Sequence, residues 1–309
     1  MSEQRARLMR WATYASTGTA GLLILVKLVA WLMTDAVSIL ATLIDSCLDA
    51  LASLLNLFAV RHALAPADKQ HRFGHGKAES LAGLAQATFI AGSALFLLLQ
   101  AGVRLWHPQP VAAMGVGVGV MLFSMLATLA LVAFQSYVVR HSGSMAIKGD
   151  HLHYKTDLLV NAGVIAALVL AAYGWPGFDP VLAMLIAGYI VHSAWEIARE
   201  SFDHLMDKEL SVEERADIRR LVLAHPDVRG MHDLRTRRAG AQVFIQLHLE
   251  LDDELPLIKA HAISDEVEAR LLEAFPQAEV LIHEDPASLM EQVPDFAADE
   301  RARKQDSAT

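Results

Sequence analysis

The sequence predicts an α-helical membrane domain of six transmembrane helices, followed by a C-terminal α+β domain of element order αββαβ. Three observations point there. The 309 residues are 54% hydrophobic and 20% charged, too apolar for an average soluble domain and too long for one membrane anchor. Long apolar runs recur up to about Glu200 and then stop. Beyond that point charged residues crowd in, and short alternating segments replace the runs. The expected division is 1–207 for the membrane domain, 208–290 for the soluble domain and 291–309 for a polar, disordered tail.

The spanning candidates fall at about 11–33, 37–61, 80–106, 111–139, 151–173 and 178–200. At roughly 1.5 Å per residue, each is long enough to cross a hydrocarbon core of about 30 Å. No small-residue cleavage site follows the first, so it reads as an uncleaved span rather than a signal peptide. Turn chemistry separates the spans at Thr34-Asp35, His107-Pro108-Gln109-Pro110 and Gly174-Trp175-Pro176-Gly177. Gly115, Gly117 and Gly119 recur every second residue in an apolar run, which suits helix packing better than phosphate binding.

Basic residues set the orientation. One set of loops holds Arg5, Arg7, Arg10, Arg61, Lys69, Arg72, Lys77, Arg140 and Lys148, and the other holds Arg104 alone. Both termini and the soluble domain are therefore expected in the cytoplasm. Lys27, inside the first span, breaks the pattern; it either snorkels or pairs with an acid.

In the soluble domain, Ser211 to Ala224 reads as a helix with Ser211 as N-cap and Glu214 completing a capping box. Met231 to Arg237 and Val243 to Leu251 alternate as strands around an Ala239-Gly240 turn. Ala260 to Phe275 is an amphipathic helix, and Glu279 to His283 is a last strand. The order implies a small open sheet with two helices on one face.

The second span carries a polar stripe of Ser38, Thr42, Asp45, Asp49, Ser53 and Asn56. Steps of three and four place these side chains on one helical face. The fifth repeats the pattern with Asp150, His153, Asp157 and Asn161. A charge in a bilayer costs roughly 2.5–3.5 kcal/mol on insertion scales, so the two faces are expected to turn toward each other or toward a water-filled path. Asp45, Asp49, His153 and Asp157 then supply three carboxylates and one imidazole, a donor set suited to tetrahedral Zn²⁺ and also to Cd²⁺ or Fe²⁺. Ligands must be deprotonated to bind, so such a site exchanges a metal ion for protons. The alternative is a structural polar contact between helices.

Two further groups have metal-binding chemistry. Asp68, His71 and His75 share a loop at spacings of three and four, with a solvated loop as the alternative reading. His232, His248, His261, His283 and Asp285 fall on or beside different elements of the small sheet. His232 and His283 are expected at strand ends, and a carboxylate such as Asp285 can bridge two ions, so one reading is a cytoplasmic metal site with one ion or two; the alternative, for each histidine alone, is a surface role. His204 and His225 read as surface residues.

Several classes are excluded. No basic stripe exists for a nucleic acid, and the single cysteine, Cys47, permits no intrachain disulfide. The sequence has no P-loop and no Ser-His-Asp setting, so it reads as no enzyme and has no ATP site. Any uphill transport must use an ion gradient. A membrane metal sensor is the competing class, but a sensor would not need ligands inside the bilayer.

The segments Ser38-Ile-Leu-Ala-Thr-Leu-Ile-Asp-Ser46, Phe73-Gly-His-Gly-Lys-Ala-Glu-Ser80, His151-Leu-His-Tyr-Lys-Thr-Asp157, His232-Asp-Leu-Arg-Thr-Arg237 and Gln246-Leu-His-Leu-Glu250 resemble the cation diffusion facilitators. The resemblance runs from about Leu8 to Pro286. It implies a proton-coupled antiporter that exports Zn²⁺, Cd²⁺ or Fe²⁺ by alternating access, working as a homodimer with a metallochaperone-like cytoplasmic domain. It assigns Asp45, Asp49, His153 and Asp157 to the transport site, and Asp68, His71 and His75 to a weaker loop site. It assigns His232, His248, His261, His283 and Asp285 to a pair of structural ions that stabilise the dimer, and Lys77 with Asp207 to a charge interlock. Two positions depart from the family pattern: Lys69 stands where an acid is expected, and Glu284 replaces a Gln beside the cytoplasmic ligands, which bears on the charge of that site.

Overall fold

A computed structural model describes residues 3–35, 37–106, 115–173 and 178–288. The turns expected at 107–110 and 174–177 and the tail at 291–309 lie outside the described residues. The chain separates into two compact units, Met1–Leu205 and Met206–Thr309.

Six helices make up the described part of the first unit: α1 Glu3–Thr34, α2 Val37–Ala63, α3 Lys77–Trp106, α4 Gly115–Ser142, α5 Met145–Ala172 and α6 Phe178–Leu205. Among the described residues, five helices are long and apolar enough to cross a membrane. The one outside that set is α5, which at 28 residues equals α4 and α6 in length. It carries Lys148, Asp150, Lys155 and Asp157 in its first half.

That charged helix is the packing hub. Its Met145 and Leu152 join Ala87, Ile90 and Ala94 of α3 and Ile190, Ala194 and Ile197 of α6. Its Ala146 and Ile147 join Met9 and Ala12 of α1, Val60 of α2 and Val138 of α4. Tyr154 of α5 lies against Leu131 and Val132 of α4. Leu55, Leu99 and Leu126 stay exposed, the arrangement of a bundle whose outer solvent is lipid rather than water.

Close approach of α5 to α3 depends on glycine. A Cβ at Gly149 would lie 2.9 Å from Cβ of Gln86, and one at Gly83 would lie 2.7 Å from Oγ of Ser201 and 3.2 Å from the Met145 carbonyl oxygen. Small residues of this kind let helix backbones meet inside a membrane. Lys148 pairs with Glu200, and Lys155 Nζ donates to the Tyr189 hydroxyl at 2.6 Å, tying α5 to α6 by its charged side chains.

The second unit has the expected order: α7 Val212–Leu223, β1 Gly230–Ala239, β2 Gln242–Leu251, α8 Leu257–Ala274 and β3 Ala278–Pro286. The capping box is present: Ser211 Oγ accepts from the Glu214 amide at 3.2 Å, and Glu214 Oε2 accepts from the Ser211 amide at 3.1 Å. The sheet order is β1-β2-β3, antiparallel then parallel, with α8 as the crossover. Side chains alternate between faces. Val243, Ile245, Leu247, Leu249 and Leu251 of β2 pack with Ile218 and Val222 of α7 and Ile263, Val267 and Leu271 of α8. Gln246, His248 and Glu250 lie on the opposite face, which carries the metal-capable residues.

His225, expected at the surface, is buried instead. Its Nε2 lies 3.0 Å from Glu266 Oε2, and its Nδ1 accepts from the Asp227 amide at 3.2 Å. It fastens the end of α7 to α8, a structural role.

Replacing Gly149 by Val should overpack the α3–α5 crossing and destabilise the membrane unit by about 1–3 kcal/mol. A lowered midpoint in thermal unfolding of the detergent-solubilised protein is the expected outcome; an unchanged midpoint contradicts the close approach.

Candidate metal centres

The stripe on α2 and the stripe on α5 do face each other. His153 Nε2 lies 3.1 Å from Asp49 Oδ1 and 3.9 Å from Asp157 Oδ2. Donor atoms of Asp49, His153 and Asp157 all lie within 4.8 Å of one another, close enough to hold one ion. His153 is buried and Asp49 half-buried. Asp45, one turn along α2, is exposed and stands outside this group. Three of the four expected ligands are thus gathered, and the fourth, Asp45, shares α2 with Asp49 alone.

Residues around the group hold α5 in its rotation. The Tyr154 hydroxyl meets Ser53 Oγ of α2 at 2.7 Å and donates to the Ser16 carbonyl of α1 at 3.4 Å. Gln135 of α4 donates to Asp150 Oδ2 at 2.7 Å. These polar contacts reach α1, α2 and α4 from one helix, so they fix which side of α5 presents His153 and Asp157. The sequence signals Asp150 and Ser53 through the stripes. Tyr154 and Gln135 carry no such signal, because a buried Tyr or Gln in a span has no periodic partner along its own helix.

The loop group is assembled as expected. Asp68 Oδ1 accepts from the amides of His71 at 2.7 Å and Gln70 at 2.8 Å, an Asx turn. Those amide bonds, His71 first and then Gln70, hold the Asp68 carboxyl below its ordinary value and keep it ionised. His71 Nδ1 and His75 Nε2 each lie 3.4 Å from an Asp68 oxygen. His62 at the end of α2 meets His75 edge-on, with ring centroids 4.4 Å apart, an extra imidazole that the loop spacing does not reveal. Lys69 is exposed and is not part of the group.

The soluble group is set by strand register. His232 of β1 pairs with His248 of β2, and His248 pairs with His283 of β3. The three histidines therefore form one row across the sheet, with His232 near the start of β1 as expected and His283 inside β3 rather than at its end. Sequence gives no register between strands joined by a crossover, which is why the row was not expected. Ring centroids are 4.9 Å apart for His232 and His248 and 4.7 Å for His248 and His283. Asp285 stands over the row. Its Oδ2 lies 2.6 Å from His248 Nδ1 and 3.5 Å from His232 Nε2, while its Oδ1 lies 3.3 Å from His283 Nε2. Donor atoms of His232, His248 and Asp285 lie within 4.8 Å of one another, close enough to hold one ion. His232 Nε2 is buried with no hydrogen-bond partner, so the donor set fits a metal ligated there. His261 is elsewhere, on the solvent side of α8, 3.6 Å from Asp265 and not gathered with the others.

Two residues beside this cluster were not expected. Glu250 Oε1 lies 2.8 Å from His232 Nδ1, an outer carboxylate that orients the ring. Asp233 sits at a β-bulge between His232 and Arg235 with φ of 45°. Its Oδ2 comes within 3.9 Å of His248 Nε2, and Arg235 clamps it at 2.8 Å. Bulges re-aim side chains in this way. Glu284, by contrast, turns to the helix-covered face and accepts from Ser264 Oγ at 2.7 Å. It does not add charge to the row, because adjacent residues of a strand face opposite sides.

With the geometry in place, two family descriptions match the chain: the cation efflux transmembrane domain over residues 13–206 and the cation efflux protein cytoplasmic domain over residues 210–287. The chain belongs to the cation efflux, or cation diffusion facilitator, family. It is a cation efflux transporter with a membrane unit and a small α/β unit, and not an enzyme. The cation-efflux pump FieF of Klebsiella pneumoniae subsp. pneumoniae is 49% identical over 290 residues, 94% of this chain and 97% of that one. The FieF pump of Escherichia coli O1:K1 / APEC is 47% identical over the same coverage. A solved metal-bound C-terminal domain of the CzcD transporter from Thermotoga maritima is 27% identical, with a TM-score of 0.25, over 26% of this chain and all of that one.

Glu250→Gln should weaken zinc binding at the row by about 10–100-fold, the usual loss when an outer partner of a ligating histidine is removed. Glu284→Gln should leave it unchanged. Calorimetric titration of both variants checks the pair; an equal loss from both contradicts the assignment of faces.

Proposed function

We propose that the chain is a proton-coupled antiporter that exports divalent metal cations, Zn²⁺ foremost and also Cd²⁺ or Fe²⁺, from the cytoplasm by alternating access. The observation that carries this reading is the Asp49–His153–Asp157 group, built from two facing helices of the membrane unit. A nitrogen donor and carboxylate oxygens suit a borderline cation such as zinc. Asp45 completes the set as α2 shifts relative to α5 during the cycle. Protons compete for the same donors, so a proton gradient drives metal release. Rocking of helices around a fixed midplane site is the general route by which such carriers alternate access.

The remaining assignments belong to the same proposal. The protein sits in a bacterial inner membrane with both termini and the α/β unit in the cytoplasm, and works as a homodimer. The family description of its second unit as a cytoplasmic domain, and relatives named as efflux pumps, support that orientation. His232, His248, His261, His283 and Asp285 hold a pair of structural Zn²⁺ ions, and Asp68, His71 and His75 bind more weakly in the loop. Asp207 lies 3.3 Å from Arg237 Nη1, and Lys77 Nζ donates to the Leu205 carbonyl at 3.4 Å. The pairing of Lys77 with Asp207 is a dimer-state interlock in this reading.

Asp49→Ala should abolish zinc flux in proteoliposomes bearing a pH gradient, while the protein keeps its oligomeric size. Wild-type flux from Asp49→Ala contradicts the site, and flux insensitive to the gradient contradicts proton coupling.

A further inference from the structure

Lys27 is the one basic side chain of α1 that lies well inside its apolar stretch, and the family function leaves it without a role. Its ammonium crosses to α2, donating to Ser46 Oγ at 2.7 Å and to the Thr42 carbonyl at 3.1 Å. Ser46 is buried and lies between Asp45 and Asp49 along the helix. Both acceptors are uncharged. An ammonium in a membrane segment needs charge compensation as well as hydrogen bonds. Thr42, Asp45, Ser46 and Asp49 follow one another at steps of three and one and three, so the bonded ammonium meets the face of α2 that carries both acids. A snorkelling lysine would reach outward along its own helix toward a headgroup; this one is held sideways by the helix that carries the acids.

We propose that Lys27 is the fixed counter-charge of the transport site, a positioning residue that sets how tightly the metal is held. The proposal rests on the reading of Asp45, Asp49, His153 and Asp157 as that site. Three carboxylates against a divalent ion leave one negative charge, and Lys27 cancels it. The loaded site is then neutral overall, the cheapest condition for a charged assembly that must move within a low-dielectric bundle. Lys27 also keeps the affinity low enough for release. A carrier that binds too tightly loads well and turns over slowly. Because the ammonium is bonded to α2 itself, it travels with Asp45 and Asp49, so the compensation is not lost as the site alternates.

The test is initial-rate zinc flux in proteoliposomes for Lys27→Met, Lys27→Gln and Lys27→Arg, with Asp49→Ala as reference. Removing the charge should lower KM by about tenfold or more, since a unit charge near a divalent ion is worth at least the 1.4 kcal/mol of one decade, and lower the maximal rate at the same time. Lys27→Met and Lys27→Gln should behave alike, and Lys27→Arg should restore wild-type KM and rate. An unchanged KM in either neutral variant overturns the proposal. So does a Lys27→Arg protein as impaired as Lys27→Met, since a purely structural strut between α1 and α2 would lower the maximal rate without the KM shift. If Lys27→Met does not fold, Lys27→Gln decides. Failure of the underlying site is a separate result: Asp49→Ala would then transport normally, whatever the Lys27 variants do.

Discussion

An ionised carboxylate inside a bilayer-length helix has nowhere to go except toward another polar group, and much of the membrane unit follows from that constraint. Asp49 on α2 meets His153 on α5 at 3.1 Å. For the two to meet, α5 must lie inside the bundle, and it does, packed against α3 and α6 on one side and α1, α2 and α4 on the other. Gly149 lets it come close to α3. The Tyr154–Ser53 and Asp150–Gln135 bonds then fix its rotation. The apolar surface that would be the core of a soluble bundle is turned outward, as at Leu55, Leu99 and Leu126.

The soluble unit meets a milder version of the same demand by using the two faces of a sheet. Odd-numbered residues of β2 build the core under α7 and α8, and His248 and Glu250 project the other way. Register does the rest, bringing His232, His248 and His283 into a row beneath Asp285. The bulge at Asp233 interrupts the pairing just where a carboxylate is turned toward that row. The two units therefore reach metal-capable geometry by different periods: four residues along a helix, and one residue per strand across a sheet.

What could be read from the chain divides along the same line. Helical stripes are local, so the facing of Asp49 toward His153 and Asp157 is legible from spacing, as are the capping box at Ser211 and Glu214 and the αββαβ order. Contacts set by tertiary register were not. The sequence bounds end the last strand at His283, whereas β3 runs on to Pro286, and a parallel crossover leaves undetermined which residues of β2 and β3 stand side by side. Glu284 was expected to alter the charge of the row, and strand alternation puts its carboxylate on Ser264 instead. His225 looked like a surface residue because burial of one imidazole beside Glu266 has no periodic signature. Asp45 was grouped with Asp49 by spacing, yet a helical face is broad enough for one to face His153 and the other to lie exposed.

The most direct measurement of the central claim is the coordination shell of zinc in the membrane unit itself. Zinc K-edge X-ray absorption on a chain carrying His71→Ala, His75→Ala, His232→Ala and His248→Ala removes the competing clusters. One bound zinc per chain with a single imidazole nitrogen and carboxylate oxygens at about 2.0–2.2 Å is the predicted result. No retained zinc, or a shell with two or more imidazoles, would contradict a transport site built on Asp49, His153 and Asp157.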